Sequence, residues 1–297
     1  MGKKSSKPFK KAYLEITNVC NLNCSFCPKT KRSPRFVSTE EFLHLIDEVT
    51  PFTDYVYFHL MGEPLLHPNL KEFFTICGER GLKVSLTTNG TLLKEKQDIL
   101  LSSPSLYRVS ISVHSFEANQ TGQTLEEYLQ DILQFCALAS QQTKTYFVLR
   151  LWNKDSAVLK AANQCNVDIF HQVREFFHLD FDPAEALEHK SSISLCDKVY
   201  LETAEKFSWP DIQQQESFDS VFCHGLRDQF GVLVDGTVVP CCLDSEGNID
   251  LGNIYEKPLS EILSSPRAKA LYDGFSRRTP SEELCRRCGY AQRYSIL

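Results

Sequence analysis

Along the first 210 positions, hydrophobic and polar residues follow two spacing patterns, and segments with one pattern alternate with segments with the other. Short runs rich in aromatic and β-branched residues predict β-strands. These runs lie at 13–17, 54–60, 82–88, 107–113 and 145–152, with a shorter sixth run at 199–201. Between them, apolar residues recur at i, i+3, i+4 and i+7, which predicts amphipathic helices. Strands that alternate with helices indicate βα units and a parallel sheet.

Two of the predicted helices carry clear start signals. Two residue pairs have the spacing of a capping box, Ser38 with Glu41 and Thr124 with Glu127. Cys77 and Cys136 fall on the apolar faces of their predicted helices, so we interpret both as core residues. Apolar spacing also predicts one or two helices over 155–179.

Five or six βα units in about 210 residues predict an α/β fold with a partial (β/α)6 barrel of the TIM type. A complete eight-unit barrel typically needs about 250 residues. In either geometry the loops that follow the strands form the active face. We expect a basic N-terminal tail at 1–11, the barrel core at 12–210 and a small C-terminal domain at 215–297.

The pattern changes after residue 210. Two β-rich arms, 230–234 and 237–240, flank Asp235-Gly236, a pair that tolerates the positive φ of a type I′ turn. This predicts a β-hairpin that brings Cys223, before the first arm, close to Cys241 at the end of the second. A helix predicted over 259–272 precedes the last two cysteines, Cys285 and Cys288.

Composition narrows the possible partners and compartment. The chain has 297 residues, 42% of them hydrophobic, which is enough for a substantial core. A net charge of -6 argues against nonspecific nucleic-acid binding, and the lack of about 18 consecutive apolar residues argues against a membrane span. The N-terminal tail is rich in lysine but lacks the apolar segment of a secretory signal. We therefore expect a cytoplasmic protein whose thiols stay reduced.

Twelve cysteines are present, and three of them form the motif C-x3-C-x2-C at Cys20, Cys24 and Cys27. The motif directly follows the first predicted strand, so it lies on the expected active face. Three thiolates can hold three irons of a 4Fe-4S cluster and leave the fourth iron open to a substrate or cofactor. Three of the four ligands of a structural zinc ion are the alternative, and the spacing alone leaves both open.

The triplet, with Phe26 before its last cysteine, resembles the cluster loop of the radical S-adenosylmethionine (SAM) superfamily. Met61-Gly62-Glu63-Pro64, at the end of the second predicted strand, resembles the Gly-Glu-Pro motif of that family. The resemblance implies a 4Fe-4S cluster on the three cysteines with SAM at the open iron. It also implies that Gly62, Glu63 and Pro64 bind the SAM amino group and that Phe26 contacts the adenine.

Further SAM contacts are implied at polar residues on or after later strands, namely Asn89, Ser110, Ser112, Arg150 and Asn153. A guanidinium such as that of Arg150 can clamp a carboxylate with two hydrogen bonds, but strand alternation leaves its direction open. Asn89 has an alternative role as a turn residue. His59 and His114 are candidate proton-transfer groups, with packed, hydrogen-bonded histidines as the alternative.

The C-terminal cysteines resemble the twitch domain, the shortened form of the SPASM extension of radical SAM enzymes. The resemblance implies that an auxiliary 4Fe-4S cluster is bound by Cys223, Cys241, Cys285 and Cys288, with Cys241 favoured over Cys242. Four thiolates leave no iron open to substrate, which suits electron transfer, and structural zinc is the alternative. Cys196, just before the sixth predicted strand, is a candidate hydrogen-atom donor at the barrel mouth. The alternative is a buried free thiol.

The resemblance implies an enzyme that cleaves SAM reductively to a 5′-deoxyadenosyl radical, which abstracts a substrate hydrogen. The auxiliary cluster then accepts an electron. Expected partners are a peptide or small-molecule substrate and an external one-electron donor such as flavodoxin or ferredoxin. Few residues precede the first strand, so we expect no fused peptide-recognition domain.

A noncatalytic iron-sulfur carrier or redox sensor and a zinc-organised interaction module are the alternatives. Gly62-Glu63-Pro64 favours the enzyme, because a carrier has no use for a site that binds the SAM amine.

Overall fold

The computed structural model describes residues 7–119, 122–154 and 164–294. The strands are β1 (Lys11–Leu14), β2 (Tyr55–Phe58), β3 (Lys83–Thr88), β4 (Leu106–Ser112), β5 (Tyr146–Lys154), β6 (Ser192–Cys196), β7 (Val199–Glu205), β8 (Gln229–Val232) and β9 (Val238–Val239). The α-helices are α1 (Thr39–Val49), α2 (Leu70–Glu79), α3 (Gln97–Leu101), α4 (Leu125–Gln142), α5 (Gln164–Phe177), α6 (Pro183–Ala186), α7 (Leu259–Leu263), α8 (Pro266–Ser276) and α9 (Glu283–Arg286). Short 3-10 helices span Pro64–Leu66, Val113–Ser115 and Gly289–Tyr294.

The chain divides into two compact units. The first consists of Met1–Cys20, Pro28–Val84 and Phe207–Leu297, and the second of Asn21–Cys27 and Ser85–Lys206. Each unit therefore draws on separate stretches of the sequence.

In the first unit, β1 pairs in parallel with both β2 and β8, and β9 returns antiparallel to β8. This last pair is the predicted hairpin. Its turn is not of type I′, because Gly236 has a positive φ, +90°, and Asp235 does not. The rings of Phe42 in α1 and Phe74 in α2 lie 5.7 and 6.0 Å from the ring of Phe58. The sheet face beneath them is apolar and fully buried, with Ala12, Leu14, Val56 and Phe58.

In the second unit, β4, β5 and β7 are parallel neighbours, β3 lies beside β4, and β6 is antiparallel to β7 at the edge. Side chains alternate between the two faces of a strand. One face is apolar and meets α4, where the rings of Phe135 and Phe147 lie 5.6 Å apart. The other face, here called the polar face, carries Ser110, Ser112, Arg150 and Glu202. Parallel strands covered by helices confirm the predicted α/β class.

Both predicted capping boxes form. The Ser38 hydroxyl accepts a hydrogen bond from Glu41 N at 3.1 Å, and Ser38 N donates to the Glu41 carboxylate at 2.8 Å. The corresponding distances between Thr124 and Glu127 are 3.2 and 2.9 Å. The cysteines of α2 and α4 are completely buried, which confirms that they are core residues.

The helix predicted over 259–272 is instead two helices, α7 and α8. Pro266 begins α8 and has no backbone N–H with which to continue α7. Ser265 caps α8 by accepting a hydrogen bond from Ala268 N. The break therefore follows from local residues that the apolar spacing does not reveal.

Other boundaries also differ from the prediction. Strand β6 was not predicted, because its serines interrupt the β-rich composition, and β7 is longer than the predicted sixth strand. Helix α3 begins only at Gln97, after a series of turns over residues 91–96. Of the helices predicted over 155–179 the structure contains α5, and residues 155–163 lie outside the described part. Among the described helices, none has both the length and the apolar character needed to cross a bilayer.

His67 is a buried polar group of the first unit. It is 2% exposed, its Nε2 lies 3.0 Å from Val37 O, and its Nδ1 accepts a hydrogen bond from Asn69 N at 3.1 Å. Burial lowers the pKa of His67 from 6.5 to about 4. The folded chain therefore keeps this ring neutral at neutral pH.

We expect His67 to make the fold less stable as the pH falls. The unfolded chain binds a proton at His67 at a higher pH than the folded chain does. The contribution of the neutral ring to the free energy of unfolding is therefore complete above pH 6.5 and is lost as the pH falls towards 4. The loss between pH 7 and pH 5 is about 2 kcal/mol. Urea unfolding of the wild type and of His67→Gln at both pH values measures it. Equal pH dependence in the two proteins would contradict this prediction.

Candidate metal centres and SAM site

The three motif cysteines lie in a loop of residues 20–27, here called the cluster loop, which has no regular secondary structure. Cys20 is exposed, while Cys24 and Cys27 are half-buried. A turn joins the last two, since Cys27 N donates to Cys24 O at 3.2 Å. In the described part of the chain every cysteine is a thiol rather than half of a disulfide. The loop therefore presents thiols that iron can reach.

Asn89 braces the cluster loop within the second unit. Its Nδ2 donates to Asn21 Oδ1 at 2.8 Å, and Asn21 Nδ2 donates to Thr91 Oγ1 at 2.9 Å. The Thr91 hydroxyl completes the triangle by donating to Asn89 Oδ1 at 2.7 Å. Asn89 is thus both a turn residue and a support of the loop, and its contact with SAM stays a prediction.

Asn119, which the sequence did not point to, contacts the cluster loop directly. Its Nδ2 donates to Cys24 Sγ at 3.0 Å and to Ser115 O at 2.6 Å. Its Oδ1 accepts a hydrogen bond from Asn23 N at 2.9 Å. Asn119 is 95 residues from Cys24 in the sequence, so only the folded chain reveals this contact.

Phe26 and His114 form an aromatic pair. The Phe26 side chain is 39% exposed and its ring lies 4.7 Å from the His114 ring. His114 is buried, and its Nδ1 is 3.0 Å from Arg150 O. Because burial lowers the pKa of His114, the ring is neutral at neutral pH. A packed, hydrogen-bonded histidine describes it better than a proton-transfer group that titrates near pH 7.

Arg150 lies on the polar face of the second unit, in register with Ser112 on β4 and Glu202 on β7. The Arg150 side chain, whose direction strand alternation left open, therefore projects from the same face of the sheet as Ser110 and Ser112. Glu202 Oε2 lies 3.8 Å from Arg150 Nε and 3.1 Å from Arg108 Nη2. The Glu202 carboxylate thus lies close to two guanidinium groups, and a guanidinium is the kind of group that binds an anionic ligand group.

Asn153 lies within the irregular part of β5, between Leu151 and Lys154, and is held by neighbouring side chains. Its Nδ2 donates to Glu117 Oε2 and to Asn166 Oδ1, each at 3.0 Å. Asn166 Nδ2 donates back to Asn153 Oδ1 at 3.1 Å. Glu117 and Asn166 therefore hold this side chain, and its role toward SAM stays a prediction.

The Gly-Glu-Pro loop packs against the residues just before Cys20. Glu63 N donates to Val19 O at 2.8 Å, and the Glu63 carboxylate accepts a hydrogen bond from Leu65 N at 3.0 Å. Gly62 has a φ of +78°, and a Cβ at this position would lie 2.4 Å from Thr17 O. Glycine is required here for two reasons, the positive φ and the backbone contact.

Glu15, directly after β1, holds several functional segments of the first unit together. Its side chain is completely buried and binds both Nη atoms of Arg32 at 2.7 Å. The same carboxylate accepts hydrogen bonds from Met61 N at 3.2 Å and Val234 N at 2.9 Å. One side chain thus joins the segment after the cluster loop, the Gly-Glu-Pro loop and the C-terminal hairpin. No local pattern in the sequence points to Glu15.

The C-terminal cysteines meet in the first unit. Burial, followed by the charges of other cysteines, raises the pKa of Cys223 to about 12. Burial likewise raises the pKa values of Cys241, Cys285 and Cys288, and the charge of Cys223 raises those of Cys241 and Cys285 further. Thiolates this close repel one another, and bound cationic iron removes that repulsion. The donor set therefore fits an iron-sulfur cluster.

Cys241 and Cys242 occupy different surroundings. Cys241 interacts electrostatically with Cys223, Cys285 and Cys288. Cys242 shares a hydrogen bond with Tyr13 and packs against the apolar cluster around that ring. The charge of Cys242 also raises the pKa values of Cys223 and Cys288, so the choice of Cys241 over Cys242 as the fourth ligand stays a prediction.

The described residues contain no group of three or more His, Cys, Asp or Glu side chains placed to hold a single metal ion. A cubane cluster differs from such a site because each thiolate binds a different iron.

Cys196 does not lie at the predicted position. It ends β6, which runs antiparallel to β7, and is paired with Val199 at the start of β7. Parallel strands bring Val199 in register with Phe147, near the start of β5, whereas Arg150 lies farther along β5. Cys196 is therefore at the N-terminal edge of the sheet, opposite the loops that follow the strands. The prediction that it reaches the barrel mouth is wrong, because β6 reverses the chain direction.

Comparison with known proteins identifies the family. Residues 14–148 match the profile described as the Radical SAM superfamily, and residues 223–289 match SPASM, an iron-sulfur cluster-binding domain. The chain belongs to the radical SAM superfamily. It is therefore an enzyme, and the two matches imply a 4Fe-4S cluster, SAM and auxiliary iron-sulfur ligation. The C-terminal extension predicted from its cysteines is confirmed.

Two relatives illustrate the range of radical SAM enzymes that this chain resembles. The GTP 3',8-cyclase of Aquifex aeolicus is 25% identical over 284 residues, which cover 86% of this chain and 88% of that protein. The AdoMet-dependent heme synthase of Methanosarcina barkeri is 36% identical over 107 residues, which cover 35% of this chain and 31% of that protein.

Solved radical SAM structures share the fold. BtrN in complex with AdoMet and 2-DOIA is 18% identical with a TM-score of 0.54, over 96% of this chain and 94% of that one. SuiB of Streptococcus suis bound to S-adenosylmethionine is 15% identical with a TM-score of 0.59, over 88% of this chain and 67% of that one. The predicted partial barrel with a C-terminal extension is consistent with these neighbours.

Proposed function

We propose that this protein is a radical SAM oxidoreductase that removes a hydrogen atom from a peptide or small metabolite. The observation that carries the proposal is the contact between the Gly-Glu-Pro loop and residues 17–19, immediately before Cys20. A loop built to bind the SAM amine is thereby fixed beside a cysteine that would ligate the cluster. When bound, the reduced cluster and SAM supply a 5′-deoxyadenosyl radical.

In this proposal the residues of the chain bind and orient the reactants. Cys20, Cys24 and Cys27 hold the first cluster and leave one iron to SAM. Gly62-Glu63-Pro64 contacts the SAM amino group, and the half-exposed ring of Phe26 offers a surface for the adenine.

The polar face of the second unit is proposed to bind the rest of SAM. The guanidinium of Arg150, whose side chain is largely buried, suits the carboxylate. Ser110 and Ser112 project from the same face of β4. Asn89 directly follows β3 and Asn153 lies near the end of β5, and each is held by hydrogen bonds to other side chains.

The C-terminal cluster, on Cys223, Cys241, Cys285 and Cys288, is proposed to accept an electron from the substrate radical. Four protein ligands leave no iron open to substrate, which suits electron transfer, and an electrostatic effect on the site is the alternative. The first cluster would receive its electron from an external donor such as flavodoxin or ferredoxin. Reduced thiolate ligands fit a cytoplasmic location. We propose that the barrel core covers 12–210 and the twitch domain 215–297.

A peptide is the proposed substrate class. Structures that share the fold include SuiB bound to precursor peptide SuiA and anSMEcpe with bound AdoMet and a Cp18Cys peptide. A small metabolite is the second candidate, since BtrN in complex with 2-DOIA shares the fold as well.

Iron analysis of reconstituted protein tests the cofactor assignment. The wild type should contain about eight irons per chain, as expected for two cubanes. Cys24→Ala and Cys241→Ala should each lose about four, whereas Cys242→Ala, the matched control beside Cys241, should keep them all. A purified protein that contains zinc and little iron would instead support the zinc-organised interaction module. If Cys242→Ala loses iron and Cys241→Ala does not, Cys242 rather than Cys241 is the fourth ligand.

The spectrum of the reduced first cluster tests whether the protein is an enzyme or only an iron-sulfur carrier. SAM should change the EPR spectrum of the wild type, because it binds the open iron. The change should persist in Cys241→Ala, which retains the first cluster. If SAM does not change the EPR spectrum of the fully iron-loaded protein, the result would support a noncatalytic iron-sulfur carrier.

A further inference from the structure

A contact from Asn119 reaches a cysteine sulfur of the cluster loop. The Asn119 amide donates to Cys24 Sγ at 3.0 Å. Asn89, by contrast, contacts the loop through the Asn21 side chain. Asn119 is therefore a support that acts on a sulfur proposed to bind iron.

The orientation of the Asn119 amide is fixed by its other bonds. Oδ1 accepts from Asn23 N, a group that can only donate, and Nδ2 donates to Ser115 O, a group that can only accept. Reversing the amide would break both bonds. The second N–H of Nδ2 consequently points at Cys24, with no choice of orientation left.

A hydrogen bond to a ligand sulfur changes the electronics of the cluster. The N–H dipole stabilises negative charge on the thiolate, and the reduced cluster carries one more electron than the oxidised cluster. The donor therefore stabilises the reduced state more strongly, and the reduction potential rises. Removing the donor should make the cluster harder to reduce.

We propose that Asn119 is a positioning residue that raises the reduction potential of the SAM-binding cluster. The proposal rests on the proposed role of Cys24 as an iron ligand. It gives Asn119 two tasks in one side chain, since Oδ1 fixes the loop backbone while Nδ2 adjusts the electronic state of the cluster. The potential in turn decides which one-electron donor can reduce the enzyme.

The test is an EPR-monitored redox titration of the iron-loaded holoenzyme without SAM. Asn119→Ala should titrate at a more negative potential than the wild type. Asn119→Asp keeps the acceptor for Asn23 N, removes the N–H donor and adds a negative charge, so it should shift further in the same direction. Thr91→Val is the matched control, because it breaks the bond from Asn21 without touching a sulfur, and it should leave the potential unchanged.

Wild-type potentials in both Asn119 variants, with full iron content, would overturn the proposal. An equal shift in Thr91→Val would also overturn it, because loop displacement would then explain the effect. If neither Asn119 variant takes up iron, pulsed EPR of the wild type in deuterium oxide decides, since a missing deuterium coupling at the cluster rules out the hydrogen bond. Formation of 5′-deoxyadenosine by the wild type separates failure of this proposal from failure of the proposed function.

Discussion

Glu15→Ala is expected to lower the free energy of unfolding by about 3–5 kcal/mol. The substitution leaves the guanidinium of Arg32, whose side chain is only 14% exposed, without its bidentate partner. It also removes the acceptor for the backbone N–H groups of Met61 and Val234. A buried charge and two buried donors that lose their partner explain why this effect exceeds that of an ordinary ion pair.

Urea unfolding of the iron-loaded protein measures this effect, with a surface ion pair as control. Asp47→Ala breaks the exposed pair with Arg80, joined at 3.0 Å, and should cost at most about 1 kcal/mol. The double variant Glu15→Leu with Arg32→Met should recover part of the loss, because no charge remains buried alone. A Glu15→Ala protein within about 1 kcal/mol of the wild type would show that the network contributes little.

Gly62→Ala is expected to weaken SAM binding by about tenfold or more. A side chain at positive φ costs about 1–2 kcal/mol. Its Cβ would lie 2.4 Å from Thr17 O and 2.9 Å from Val19 O, both backbone atoms, so the Gly-Glu-Pro loop must move. A displacement that costs even about 1.4 kcal/mol of binding energy corresponds to a tenfold loss of affinity.

Titration of the EPR change with SAM measures this affinity. Gly81→Ala is the matched control, because Gly81 also has a positive φ, +69°, but a Cβ there would meet nothing within 4 Å. It should reproduce the backbone strain while leaving SAM affinity at the wild-type value. Equal affinities in Gly62→Ala and the wild type would mean that this loop does not position SAM.

Local patterns in the sequence predicted the elements that depend on neighbouring residues. The box at Ser38 and Glu41 needs only residues three apart, and the turn at Gly236 needs only a dipeptide that tolerates positive φ. The cluster-loop cysteines were equally accessible, since the motif spans eight positions. Such signals can be recognised without knowledge of tertiary contacts.

The supporting contacts could not be predicted in this way. The partners of Glu15 include Arg32, Met61 and Val234, and the last is 219 residues away in the sequence. Asn119 reaches Cys24 only after β4 has taken its place beside β3 and β5. Strand register, which the sequence leaves open, decides both the direction of Arg150 and which side chains it faces.

Cys196 shows how a single unrecognised strand changes a functional assignment. Its position just before β7 is compatible with either edge of the sheet until the direction of β6 is known. Because β6 is antiparallel, the residue lies beside the start of β7, away from the loops that would bind SAM.

Anaerobic incubation of reduced, iron-loaded protein with SAM tests the central claim most directly. The expected result is formation of 5′-deoxyadenosine by the wild type and none by Cys24→Ala, with Cys242→Ala retaining the activity. Fully iron-loaded wild-type protein that forms no 5′-deoxyadenosine would contradict the claim that this chain cleaves SAM.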